Sequence, residues 1–361
     1  MTINRDFFED LFVLEMANNH WGRVDRGIAI IDAFAKVARY NGVRASIKLQ
    51  FRDVDTFVHR DHRDREDVRY IKKTVDTKMS KNDYRRLVDH IRKSGCIPTA
   101  TPFDEASVDL IEALQMPFIK IASSDINDWV LIERIAKTKL PVIASTGGSS
   151  IKDVDDIVSY FEKRNLNLAI NHCVSLYPSE DDQLELNQVD FLRNRYPNVT
   201  IGFSTHEYQD WNSSIMMAYA KGARTFERHI DIDADGIAVS PYCSTPEQCD
   251  VWFKAFKKAK EMCGSSGESK RIPPRAEVEY LDALVRGVYL KHDVNVGHRI
   301  TDQDVYLAIP LLKGQLSYRE LVAGDLITRE IKAHDPLTID DIDNPYSRTP
   351  SLRTQIENRG L

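Results

Sequence analysis

Two histidines close consecutive apolar, β-branched runs: His206 ends VTIGFSTH, from Val199, and His229 lies in ARTFERHI, from Ala223. A lone histidine is usually a hydrogen-bonded structural residue, but two neutral imidazoles brought to one spot can hold a divalent metal. Glu227, two residues before His229, shares its strand face and is placed to orient it. A second set, Lys48, Lys120, Ser123 and Ser145, suits a phosphorylated, anionic substrate, since lysine supplies point charge and serine supplies donors. Ser145 opens STGGSS, a small-residue turn whose free backbone N–H groups can receive an oxyanion. Glu15, followed by Asn18, Asn19 and His20, can bind a sugar hydroxyl, work as a general base, or pair with Lys48. Tyr177 can bring a phenol to the same site. Cys173 has only His172 beside it and reads as a strand thiol rather than a nucleophile.

These residues need a scaffold that gathers them. Short strand-like runs recur as FVLEMA from Phe12, VRASIKLQ from Val43, CIPTATPF from Cys96 and PFIKIASS from Pro117. LPVIASTG from Leu140, LNLAINHC from Leu166, and the two histidine-bearing runs complete the series. Stretches with helical apolar spacing separate them: Val108, Ile111 and Leu114 share one face, as do Val154, Ile157, Val158 and Phe161. The charged gap from Phe51 to Thr77 reads as an excursion over the mouth of the fold. Strand–helix alternation predicts a parallel sheet covered by helices, and eight repeats in about 250 residues match a closed (β/α)8 TIM barrel. An open doubly wound sheet would want a glycine-rich loop after the first strand, where this chain has NNHWG. Polar groups stand at or just after all eight strand ends: Glu15, Lys48–Gln50, Thr101, Lys120–Ser124, Ser145–Thr146, His172, Ser204–His206 and Glu227–His229. In a barrel those ends meet on the face where chemistry is done.

The 361-residue chain is 42% hydrophobic and 29% charged, with a formal net charge of −6. That balance fits a soluble globular protein and excludes nucleic-acid or membrane binding as its main business. Five cysteines without a CxxC spacing speak against a disulfide framework and for a cytoplasmic location. Residues 1–264 are assigned to the barrel and 265–284 to a linker. A small β-rich domain follows over 285–347, with a polar, frayed tail over 348–361. The small domain carries a weak duplication: VNVGHRITDQDV, from Val294, is similar to IKAHDPLTIDDI, from Ile331.

Several motifs together resemble the sialic acid synthase family, including its spore-coat polysaccharide protein E group. They are EMANNHWG (Glu15–Gly22), IKLQ (Ile47–Gln50), TPFD (Thr101–Asp104), KIASSD (Lys120–Asp125), STGG (Ser145–Gly148), HCVSLYP (His172–Pro178), GFSTH (Gly202–His206) and FERH (Phe226–His229). The C-terminal duplication is similar to the family's SAF, or antifreeze-like, β-clip domain. The resemblance implies a transferase that condenses phosphoenolpyruvate with an N-acetylmannosamine-like aldose, releasing phosphate, in surface polysaccharide biosynthesis. It implies Mn2+ or Mg2+ on His206 and His229, and Glu15, His206 and His229 as the catalytic set. It places phosphoenolpyruvate on Lys48, Lys120, Ser123, Ser145, Ser175, Tyr177 and Ser204, and the sugar on Glu15, Gln50 and Asp125. A domain-swapped homodimer is implied as well.

The chain departs from the family pattern on the sugar side. Ser124–Asp125 stands where the family has SGE, Ser175 replaces an asparagine, and Thr205 replaces an acid beside a metal ligand. No GPD motif is recognisable in Asp233–Ser244, and Ile309 aligns with an arginine of the small domain. Two alternatives stay open: a barrel that binds a sugar phosphate without turnover, and a Schiff-base aldolase with Lys120 as nucleophile.

Overall fold

A computed structural model describes residues 5–264 and 269–361, and the chain divides into two compact units, 1–264 and 265–361. The first is a closed parallel barrel. Its strands are β1 (Leu11–Ala17), β2 (Arg44–Phe51), β3 (Ile97–Pro102), β4 (Ile119–Ile121), β5 (Val142–Ser145), β6 (Leu168–Cys173), β7 (Thr200–Thr205) and β8 (Thr225–Ile230). Each pairs in parallel with the next, and β1 closes on β8. A short β9 (Cys243–Ser244) adds to β8. Every predicted strand is present, shifted by a residue or two.

Period-two alternation decides what each strand offers. On β1, Phe12, Leu14 and Met16 face the helices and belong to the main apolar core. Leu11 and Val13 face inward and meet Phe118, Ile143 and Ala169. Phe8 joins that interior cluster and closes the amino-terminal end of the barrel, with Phe7 packed against it. One layer higher the inward residues are small and polar, and their hydroxyls find acceptors within the barrel. Ser46 donates to the Ile97 carbonyl at 2.7 Å, Thr99 to the Phe118 carbonyl at 2.7 Å, and Thr225 to Asn171 Oδ1 at 2.5 Å. Higher still stand the charged residues. The interior therefore grades from apolar to ionic toward the carboxyl ends of the strands.

The helices Glu105–Ala113 and Ile151–Glu162 fall where apolar spacing predicts them. Ser150 and Asp153 cap the second reciprocally in a capping box. The excursion after β2 contains the helices Val54–Phe57 and Arg69–Asp76, and residues of both line the cavity above the barrel. Among the described residues, no helix is long and apolar enough to cross a membrane.

The second unit pairs β10 (Gly287–Leu290) with β11 (Val305–Ala308), and β12 (Leu326–Ile327) with β13 (Ile342–Asp343), both antiparallel. The sequence duplication is structural. Val294 and Ile331, the first residues of the two copies, form an antiparallel bridge. Thr301 donates through N and Oγ1 to Asp304 at 2.7 Å, and Thr338 does the same to Asp341 at 2.7 Å.

Two stretches expected to be irregular contain helices. The stretch assigned to a linker contains the helix Arg275–Asp282, and residues 265–268 of it lie outside the described residues. The tail expected to fray is helical over Pro350–Glu357. Ile356 is buried in the small unit's core, and Arg359 pairs with the buried Glu320 at 2.5 Å, so apolar burial and a salt bridge hold it.

Gly202 lies in the polar middle layer. A Cβ there would stand 1.8 Å from Thr225 Oγ1 and 2.7 Å from the Thr225 carbonyl oxygen. Because the second contact is backbone, Gly202→Ala should destabilise the barrel by about 3 kcal/mol, at the upper end of ordinary overpacking costs. Thermal or urea unfolding measures it, and a variant as stable as wild type would show that the layer relaxes freely.

Candidate active site

Above the polar layer the barrel opens into a cavity of about 970 Å3 lined from all eight strands or the loops that follow them. That volume lies at the upper end for small-molecule sites and leaves room for two substrates. Its floor is organised by Lys48. The ammonium meets Glu15 Oε2 at 2.8 Å, Glu227 Oε1 at 3.0 Å and Thr101 Oγ1 at 3.2 Å. An ammonium has three N–H donors, and each has an acceptor. Burial works against the charge on Lys48, but the two carboxylates more than offset it and raise its pKa. Burial likewise opposes the charge on Glu15. Lys48 and His229 overcome it, so the Glu15 carboxyl is held well below the usual range. Lys48 is thus the hub of a buried ion cluster.

Lys120 is the other floor cation. It donates to Ser145 Oγ at 2.6 Å and to the Ile121 carbonyl at 2.8 Å, and lies 4.0 Å from Glu227. One N–H is left for a ligand. Burial is the main reason its pKa is lowered. Ser145, Ser123, Ser175, Ser204 and Cys173 surround it on the cavity wall. Ser204 reaches Glu227 Oε1 at 3.4 Å. The STGGSS turn is less open than expected. Ser123 Oγ accepts the Gly147 N–H at 3.0 Å, and the Ser149 N–H donates to the Thr146 carbonyl at 3.1 Å. Gly147 is required by crowding: a Cβ would meet Ser175 Oγ at 2.0 Å and Ser123 Oγ at 2.9 Å. The hydroxyls of Ser123 and Ser175 therefore crowd this turn at the cavity wall.

His206 and His229 stand side by side, ring centroids 5.4 Å apart. His206 Nδ1 donates to the Val174 carbonyl at 2.8 Å, which fixes the tautomer and leaves Nε2 as a lone-pair donor. Burial, then His229, pushes the His206 pKa down to about 3. Burial also lowers that of His229, so both rings are neutral at pH 7. His229 Nε2 lies 3.5 Å from Glu15 Oε2. Glu227, expected to orient His229, instead spends its bonded oxygen on Lys48 and Ser204; the neighbouring carboxylate is Glu15. Among the described residues, no three His, Cys, Asp or Glu are placed to enclose a metal. The two neutral imidazoles would suit a divalent ion whose coordination is completed from outside the chain. Tyr177 lies tilted against His206 at 3.9 Å between centroids, and Tyr242 stands edge-on to His229 at 5.3 Å. The phenol of Tyr177 thus belongs to the histidine wall.

On the other side of Glu15, Gln50 Nε2 donates to Glu15 Oε1 at 2.8 Å and Gln50 Oε1 accepts from Arg52 at 3.1 Å. Asp125 is partly buried beside them. Burial raises its pKa to about 6, and its Oδ2 has no partner. Two expected mouth residues turn away. His172 bonds the Leu184 carbonyl at 2.7 Å, and Thr205 lies in register with outward-facing Arg228. Parity explains both, since Asn171, Cys173, Ser204 and His206 take the inward positions.

The cavity also contains residues not anticipated as site residues: Arg52, Arg69, Lys73, Tyr242, His59 and His62. Arg52 had a signal, because it continues the inward phase of Ser46, Lys48 and Gln50. The others come from charged or irregular loops whose course no periodicity reveals.

Comparison with known proteins adds the family. Residues 35–267 match the NeuB family and residues 285–343 the SAF domain. A Chromobacterium violaceum protein, whose crystal structure carries the name spore coat polysaccharide biosynthesis protein E, is 38% identical. It superposes with a TM-score of 0.90 over 93% of this chain and 100% of that one. The N-acetylneuraminate-9-phosphate synthase of Drosophila melanogaster is 32% identical over 64% of this chain and 68% of its own length. The pseudaminic acid synthase of Helicobacter pylori is 27% identical over 68% of this chain and 71% of its own. With a family match spanning most of the barrel, the chain belongs to the NeuB family of synthases and carries a SAF domain after its barrel.

Proposed function

We propose that this protein condenses phosphoenolpyruvate with an aldose, in a divalent-metal-dependent reaction, to give a nonulosonic-type acid and inorganic phosphate. The observation that carries the reading is the joining of Lys120, its serines, and the paired neutral histidines in one cavity. In the reaction, C3 of the enol attacks the aldehyde carbon of the open-chain sugar. Water then adds at C2, and phosphate leaves by C–O cleavage. Lys120, Ser123, Ser145 and Ser204 bind the carboxylate and phosphate of phosphoenolpyruvate, with the remaining Lys120 donor as the point charge. Glu15 is held ionised against Lys48 and accepts a hydrogen bond from a sugar hydroxyl. Gln50 positions Glu15, and Asp125 faces the sugar with a carboxyl poised to hold a proton near neutral pH. When bound by His206 and His229, a divalent ion supplies Lewis-acid polarisation of the aldehyde.

The burial-lowered pKa of Lys120 favours one other reading, a Schiff-base aldolase. Borohydride treatment with a ketone donor separates the two, because only the aldolase leaves a stable adduct on Lys120.

A phosphate-release assay over N-acetylated and plain aldoses, with and without Mn2+, tests the main reading. Release should require phosphoenolpyruvate, metal and an aldose together, and His206→Ala should lower turnover by ~100-fold or more. No release with any aldose, or an undiminished His206→Ala, would contradict it.

Asp125 adds a pH signature. Its carboxyl titrates near 6 in the folded protein, against an ordinary value of 3.8. A raised folded-state pKa gives stability that is complete below the unfolded value and lost as pH rises through the folded one. The melting temperature of wild type relative to Asp125→Asn should therefore fall between pH 4 and pH 7. A difference that stays constant across that range would show that Asp125 is solvated.

A further inference from the structure

We propose that Arg52, Arg69 and Lys73, on the outer wall of the cavity, form a second anion subsite that receives a terminal phosphate or carboxylate on the acceptor aldose. The inference rests on the synthase reading for the word acceptor, but the subsite stands on its own geometry. All three side chains line the same cavity as the floor cluster. They come from the end of β2 and the excursion that follows it, where several other cations find carboxylates. Arg60 meets Asp61 at 3.3 Å, Arg65 meets Asp67 at 2.5 Å, Lys72 meets Asp76 at 3.4 Å, and Lys78 meets Asp55 at 2.7 Å. Among the described residues, none of the three cavity cations has a carboxylate within 4.0 Å.

The contrast is sharpest on the helix Arg69–Asp76. Arg69 and Lys73 are one turn apart on one face, toward the cavity, whereas Lys72 next door is paired. Lys73 is partly buried. Burial chiefly, with repulsion from Arg69 and Arg52, lowers its pKa against the pull of Cys243 and Asp231, and among the described residues no carboxylate pairs directly with the cluster. Arg52 is held in place: its guanidinium lies 3.6 Å from the Phe103 ring centroid and donates only to Gln50. That leaves a planar fork of donors free, the arrangement that grips phosphate or carboxylate in two-point fashion. The floor cannot use this charge, because Lys48 is matched by Glu15 and Glu227 and Lys120 serves the first substrate. The surplus at the rim is therefore available to the second.

Calorimetric titration of the full chain with mannose 6-phosphate, mannuronate and mannose, without phosphoenolpyruvate, tests the subsite. At least one anionic sugar should bind ~10-fold tighter than mannose. Phosphate preference identifies a phosphoryl group, and mannuronate preference a carboxylate. The double variant Arg69→Gln/Lys73→Met, on an accessible helix face, should abolish the preference while leaving phosphoenolpyruvate affinity within about twofold. Equal binding of all three sugars, a preference that survives in the variant, or a loss of phosphoenolpyruvate binding would each overturn the proposal. Because these titrations involve no turnover, a failed phosphate-release assay would sink the synthase reading and leave this result standing.

Discussion

The site depends on one buried ion cluster. Lys48, Glu15 and Glu227 are all nearly inaccessible to water, and each would be costly there alone. Removing one partner from a buried pair typically costs ~3–5 kcal/mol, because the other charge is left without compensation. Glu15 is in register with both Lys48 and His229, so strand pairing itself delivers the partners. The cluster thereby links β1, β2 and β8 across the seam where the barrel closes.

That arrangement divides the cavity. With its donors consumed, Lys48 leaves Lys120 as the floor cation with a donor to spare. Glu15, held ionised, stands between the histidine wall and Gln50, and so between the two substrates of the proposed reaction. Gln50 passes the connection outward to Arg52, where the charge balance changes from neutral floor to cationic rim. Gly147 and Gly202 serve the same design by their size, the first admitting Ser175 and Ser123 to the cavity wall and the second admitting the Asn171–Thr225 pair beneath it.

Much of this was legible in the sequence for a physical reason. Barrel strands alternate, so an apolar run with polar residues at its carboxyl end announces both the element and the direction of its side chains. Lys48, Lys120, Ser145, Ser204, His206 and His229 all reach the cavity on that rule. His172 was misread because its own strand places Asn171 and Cys173 inward, and parity excludes the residue between them. Glu227 was assigned to His229 by proximity along the strand, but the stronger attraction to a buried ammonium decides its direction. Arg69 and Lys73 were illegible, since a charged loop looks like a solvated face until its path over the cavity is known. The C-terminal segment looked polar, yet Ile356 and Arg359 suffice to anchor it.

In the proposed reaction Lys120, with a donor to spare, provides the charge that binds phosphoenolpyruvate, while the donors of Lys48 are taken by Glu15, Glu227 and Thr101. Calorimetric titration of wild type and Lys120→Met with phosphoenolpyruvate, with circular dichroism confirming the fold, tests it most directly. Wild type should bind, and the variant should lose at least ~10-fold in affinity, in keeping with loss of a charged hydrogen bond. Unchanged affinity in Lys120→Met would contradict the account.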